Sequence, residues 1–238
     1  MKEIILLVVF TLATSAMDIE QPKTFFDVQN DVEINLYTLK NPTEPQILVI
    51  NDTNSIEESH FNRNVPTRIF IHGFQSKGEL KTSLTGAYFL KGKKNVNLIG
   101  VNWEKASRTF NYLAASRYVE KIGTRAAEFV DFMVDNKIIK LTDLTVIGFS
   151  LGAHIAGITG KRVRSGKIPK IVGLDPAKPL FSLDKPDERL DSNDAIHVET
   201  IHTSKLGFFD PLGIVSFYPN GGRSQPGCTW DIVRSFFF

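Results

Sequence analysis

Residues 144–157 read Leu-Thr-Val-Ile-Gly-Phe-Ser-Leu-Gly-Ala-His-Ile-Ala-Gly, and this stretch decides the fold. Leu144–Phe149 is a short apolar, β-branched run that predicts a buried strand. Leu151–Val163 is rich in small residues and predicts a helix. Between them, Gly148-Phe149-Ser150-Leu151-Gly152 has the spacing G-x-S-x-G. Glycines at both ends permit a tight turn in which the serine holds strained backbone angles. Ala153, Ala156 and Gly157 let the helix approach the sheet closely. Ser150 Oγ then stands at the C-terminal edge of the sheet, and the Leu151 amide, at a helix N-terminus, faces developing negative charge. That makes Ser150 a candidate nucleophile. An ordinary glycine-rich strand-to-helix turn is the other reading of the same five residues.

Working outward, strand and helix patterns alternate. Thr67–His72, Asn97–Trp103, Pro169–Leu174, Ala195–Ile201 and Ile214–Phe217 predict further strands. Tyr112–Val134 places Ile122, Ala126, Phe129, Val130 and Met133 on one helical face. Tyr218–Gly222 and Ser224–Gly227 carry turn residues and predict loop. Such alternation predicts one α/β domain, a mostly parallel central sheet flanked by helices.

Two strand ends carry further chemistry. His72-Gly73-Phe74 closes an early strand, and the Phe74 backbone N–H is a candidate second donor to an oxyanion, with His72 shaping the loop. Asp175, in Gly173-Leu174-Asp175-Pro176, ends the strand that follows the Ser150 turn, or elbow. A carboxylate there can orient a histidine and stabilise its protonated form, although an Asp-Pro turn is common at strand ends.

Composition bounds the class. The chain has 238 residues, 42% of them hydrophobic, and a formal net charge of +2. That is enough apolar material for a sizeable core and argues against disorder. A near-neutral balance does not suggest a nucleic-acid partner. One cysteine, Cys228, excludes an internal disulfide framework and a cysteine-based zinc cluster. Met1–Ala16 has a charged start, the apolar run Ile4–Leu12 and small residues before a cleavage point, which predicts a secretory signal peptide and a secreted domain over residues 17–238. No segment reaches membrane-spanning length. Asn51-Asp52-Thr53 forms a glycosylation triplet.

The ordered set of HGF at 72–74, GFSLGAH at 148–154, GLDPAKPLF at 173–181, IHT at 201–203 and FYPNGGRSQPGC at 217–228 resembles the animal pancreatic-lipase family. The likeness is nearest to insect lipases, phospholipase A1-type enzymes and their non-catalytic yolk-protein relatives. The resemblance implies an α/β-hydrolase fold, incomplete at the C-terminus. It implies attack by Ser150 on a lipid ester, Asp175 as triad acid, and Phe74 and Leu151 as oxyanion donors. No cofactor is implied for the chemistry, and the partner is a lipid substrate or a lipid–water interface.

The same resemblance exposes a departure. The five histidines are His60, His72, His154, His197 and His202. The family places its base in a C-[SN]-H-x-R segment after QPGC, where this chain reads Phe236-Phe237-Phe238. Three expectations follow: an incomplete or frame-shifted gene product, a non-catalytic lipid-binding relative, or substitution by His202. The first two both make this form weak or inactive as an ester hydrolase, and both leave Cys228 without its family partner. The short stretch Thr229–Ser235 resembles the reduced lid of phospholipase A1-type members, with Trp230 and Ile232 as candidate acyl contacts. Arg189, Asp191 and Asp194 match a structural calcium segment of vertebrate relatives, with Pro186 where the family has a glutamate; a solvated acidic loop is the alternative. Lys161, Arg162, Arg164, Lys167 and Lys170 form a basic stretch suited to a solvated helix end or an anionic lipid surface.

Overall fold

The elements are seen in a computed structural model that describes residues 26–76, 89, 92, 94–109 and 111–227. Residues 1–16, expected as a signal peptide, and Cys228, Trp230 and Ile232 lie outside the described residues.

Every expected strand forms. They are β3 (Thr67–Ile71), β4 (Asn97–Asn102), β5 (Leu144–Phe149), β6 (Lys170–Leu174), β7 (His197–Ile201) and β8 (Val215–Phe217). β1 (Glu33–Tyr37) and β2 (Gln46–Leu48) are additional. The sheet order is β2-β1-β4-β3-β5-β6-β7-β8. β4 through β8 run parallel with β3, while β1 is antiparallel to both β4 and β2. Asn97 to Val101 are all buried, as a strand covered on both faces must be. β1 was legible in its alternation: Val32, Ile34 and Leu36 enter the main core, while Tyr37 packs beneath the opposite face with Leu98.

Two long helices cover one face, α1 (Val119–Asp135) and α2 (Leu151–Arg162). The predicted face Ile122, Ala126, Phe129, Val130 and Met133 is buried. The single helix expected over 112–134 is interrupted, however. Tyr112–Ser116 forms a short turn of its own, capped by Asn111, and the Ser116 hydroxyl bonds the Leu113 carbonyl. Pro219–Gly222, expected as loop, is a 3-10 turn. Among the described residues, no helix is long and apolar enough to cross a membrane.

Register is what builds the site. Ile71 pairs with Gly148, Gly148 with Gly173, and Gly173 with Thr200. One row of residues thus crosses β3, β5, β6 and β7. The segments that follow it, 72–74, 149–151, 174–176 and 201–203, must leave the sheet together at its C-terminal edge, where open α/β sheets bind ligands.

Candidate active site

Ser150 leaves β5 with φ 55° and ψ −118°, a conformation L-residues avoid, and its amide donates to Leu174 O at 2.9 Å. The flanking glycines are required by contact. A Cβ on Gly148 would sit 2.1 Å from Gly152 O, and one on Gly152 would sit 2.2 Å from Ile71 O. The G-x-S-x-G spacing is therefore a steric demand of packing α2 on β3 and β5. Leu151 is fully buried in the first turn of α2.

The loop after β3 lies directly on this turn. A Cβ on Gly73 would approach Ser150 Cβ to 2.9 Å. Phe74 thus follows a residue in contact with the serine. His72 is buried, donates from Nδ1 to Gly73 O at 3.0 Å, and accepts at Nε2 from the Trp103 amide at 3.1 Å. Trp103 stacks on it and returns a bond from Nε1 to His72 O at 2.9 Å. Burial lowers the His72 pKa to about 4, so the ring is neutral and shapes the loop as its sequence position suggested. No sequence pattern marks Tyr112 for this place. Its ring meets Phe74 edge-on at 5.2 Å, and its hydroxyl donates to Pro179 O at 3.2 Å, linking the loop after β3 to the loop after β6.

Asp175 stands at the end of β6, beside the elbow strand. Its φ is 47°, and its amide donates to Ile201 O at 2.7 Å. Oδ1 accepts from the Thr203 and Ser204 amides at 2.8 and 3.0 Å. Gly207 makes room for the carboxylate, since a Cβ there would lie 2.6 Å from Oδ1. Thr203 of the IHT segment and Ser204 after it thus supply the amides that orient the carboxylate, a role their residue types do not announce.

None of the five histidines bonds Ser150 or Asp175. His154 is fully buried in α2; Nε2 donates to Ala177 O at 2.6 Å and Nδ1 accepts from Leu190 N at 3.1 Å. Burial lowers its pKa to about 4. His202, the candidate substitute base, donates from Nδ1 to Phe208 O at 2.7 Å, pairs through Nε2 with the Thr200 hydroxyl at 2.8 Å, and stacks on Tyr218. Both its nitrogens are engaged inside the β7–β8 layer, which overturns that substitution. His197 pairs with Glu199 at 2.9 Å, and His60 is exposed.

Arg189, Asp191 and Asp194 do come together, but as a hydrogen-bonded knot rather than an open oxygen cage. Among the described residues no group of three His, Cys, Asp or Glu side chains is arranged to hold a metal ion. The Arg189 guanidinium donates to Ser182 O, Leu183 O and Leu190 O, and Asp194 pairs with Lys161. In the basic stretch, Lys161, Arg162, Arg164 and Lys170 pair with Asp194, Glu120, Asp131 and Glu199, while Arg162, Arg164 and Lys167 stay exposed.

Residues 10–236 match the family described as Lipase. The chain is similar to lipase member H of Oryctolagus cuniculus, 40% identical over 208 residues that cover 86% of this chain and 44% of that protein. It is 39% identical to pancreatic triacylglycerol lipase of Mus musculus over 206 residues, 83% of this chain and 44% of that one. The Homo sapiens protein of the same name is 40% identical over the same length and the same shares. The chain thus spans less than half the length of these curated relatives.

Proposed function

We propose that this chain, which belongs to the lipase family, hydrolyses carboxylic esters of glycerolipids with Ser150 as nucleophile and Asp175 as triad acid. One observation carries the reading. Ser150 is held at φ 55° between β5 and α2, with Gly73 packed on its Cβ and the oriented Asp175 carboxylate at the end of the neighbouring strand. Ser150 Oγ attacks the ester carbonyl, and the amides of Leu151 and Phe74 receive the oxyanion. The intermediate collapses with breakage of the ester C–O bond and departure of the glycerolipid alcohol, and water then hydrolyses the acyl-serine ester to release the fatty acid and restore Ser150. A phospholipase A1-type preference is the finer form of the proposal, with Trp230 and Ile232 against the acyl chains. So is secretion by way of residues 1–16, with the lipid–water interface as the working partner. The names of two relatives, both triacylglycerol lipases, support a glycerolipid ester as the substrate class.

A second reading, a lipid-binding protein on the same scaffold, is favoured by the histidines. All five are engaged elsewhere or exposed, so proton transfer from Ser150 needs an acceptor outside the described residues. A fluorophosphonate probe separates the two. Stoichiometric labelling of the purified protein that vanishes in Ser150→Ala, together with release of fatty acid from glycerolipid, upholds hydrolysis. Lipid binding without labelling in the folded protein establishes the second reading.

A further inference from the structure

The turn at 189–194 is built around a cation that the chain itself supplies. The glycine face of α2 lies flat on this turn. A Cβ on Gly157 would stand 2.6 Å from Leu190 Cα, and one on Gly160 would stand 2.2 Å from Asp194 O. Lys161 follows at once, and its ammonium donates to Arg189 O at 3.0 Å and to Asp194 Oδ1. The pair is sheltered: the side chains are 16% and 3% exposed. Asp194 Oδ2 accepts from the Asp191 amide at 2.7 Å. The Asp191 carboxylate is turned onto its own loop, taking Asn193 N and Nδ2 on Oδ1 and Arg189 Nη1 on Oδ2.

This donor set does not fit a calcium ion. Calcium takes roughly six to eight oxygens at about 2.3–2.6 Å. Here the backbone oxygen of Arg189 and the buried oxygen of Asp194 already share an ammonium, and the other carboxylate oxygens are occupied by amide or guanidinium donors. A divalent ion in that place would face the Lys161 charge at contact distance. Lysine, a compact charge with three donors, meets the same oxygens without it.

We propose that Lys161 is the built-in structural cation of this turn, standing where a divalent metal ion would otherwise bridge the Arg189 carbonyl and the Asp194 carboxylate. It follows that the fold is indifferent to calcium while Lys161 is present, and that removing the lysine opens a calcium-responsive site.

Thermal melting of the full-length protein in millimolar calcium chloride and in EGTA tests this. The wild type is expected to melt within about 1 °C in the two buffers, since a ligand that does not bind gives no stabilisation. Lys161→Ala is expected to melt about 5 °C or more lower in EGTA, because Asp194 is left buried and unpaired, and to recover part of that loss in calcium. Lys161→Arg, which keeps the charge, should recover most of it in EGTA. Saturable stabilisation of the wild type by calcium overturns the proposal, and so does Lys161→Ala melting that calcium leaves unmoved. If Lys161→Ala does not fold, calorimetric titration of the wild type with calcium chloride decides: no binding heat upholds the assignment, and a saturable heat overturns it.

Discussion

Ser150 pays a conformational cost that glycine would not, and that difference can be measured apart from any chemistry. A non-glycine residue at positive φ carries roughly 1–3 kcal/mol of strain. Ser150→Gly should therefore be about 1 kcal/mol more stable than Ser150→Ala, since only glycine relaxes the backbone. Equal denaturant midpoints for the two variants would show that the turn is unstrained. Asp175 supports a complementary experiment. Asparagine tolerates positive φ and keeps an acceptor for the Thr203 and Ser204 amides, so Asp175→Asn should retain the fold within about 1 kcal/mol. Where a histidine completes the triad, ester turnover should fall by about four orders of magnitude, the scale seen when a triad acid becomes its amide and the imidazole loses its orienting partner. Undiminished turnover would remove Asp175 from the mechanism.

At the scale of elements, the contact between α1 and α2 sets the position of the elbow helix. Gly123 sits in the middle of α1, where alanine is the better helix former by about 1 kcal/mol. Yet a Cβ there would lie 2.6 Å from Ile158 Cβ and 3.0 Å from Ile155 O. Overpacking of that kind costs about 1–3 kcal/mol, so the contact outweighs the propensity. Gly123→Ala should destabilise the protein, and a double-mutant cycle with Ile158→Ala, which removes the contacting Cγ2 while keeping Cβ, should show a favourable coupling. A stabilised Gly123→Ala would mean the helices are not in contact there. Element identity is largely readable in the sequence: β3 to β8 and α2 lie within the segments that the apolar patterns mark, and α1 overruns its segment by one residue, Asp135. The break between Ser116 and Val119 is not, because side-chain periodicity continues across it while the backbone does not.

Across the whole molecule, His72 and His154 make folding sensitive to acid. Both are buried, and burial lowers each pKa from 6.5 to about 4. The unfolded chain therefore binds more protons than the folded one between those values, and stability is lost as pH falls through that window. Each ring contributes about 2 kcal/mol of loss between about pH 7 and pH 5, offset in part by Asp194, whose carboxyl burial pushes up to about 6. Urea melts at those two values should show the drop, and a pH-independent midpoint would mean the rings are not buried neutral. The place of His72 after β3 marks it as loop-shaping, but residue type does not show that it and His154 are neutral. Both owe their neutral state to burial, and the groups packed on them, Trp103 on His72 and Ala177 and Leu190 on His154, are distant in sequence.

By itself, the sequence determined the elements and the elbow, because apolar period and the G-x-S-x-G spacing are local consequences of backbone sterics. It also located Asp175 and the loop of Phe74 at strand ends. Tertiary structure alone decided what those groups can do. Strand register carried Gly73 onto Ser150, the loop after β7 supplied the amides that aim Asp175, and packing consumed the nitrogens of His154 and His202. The acidic turn shows the same division. Its carboxylates were plain to read, but only the close approach of a glycine-faced helix shows that Lys161 is the cation they meet. Local pattern follows from neighbours in the chain, whereas a site's charges and hydrogen bonds are shared with residues that only folding brings near.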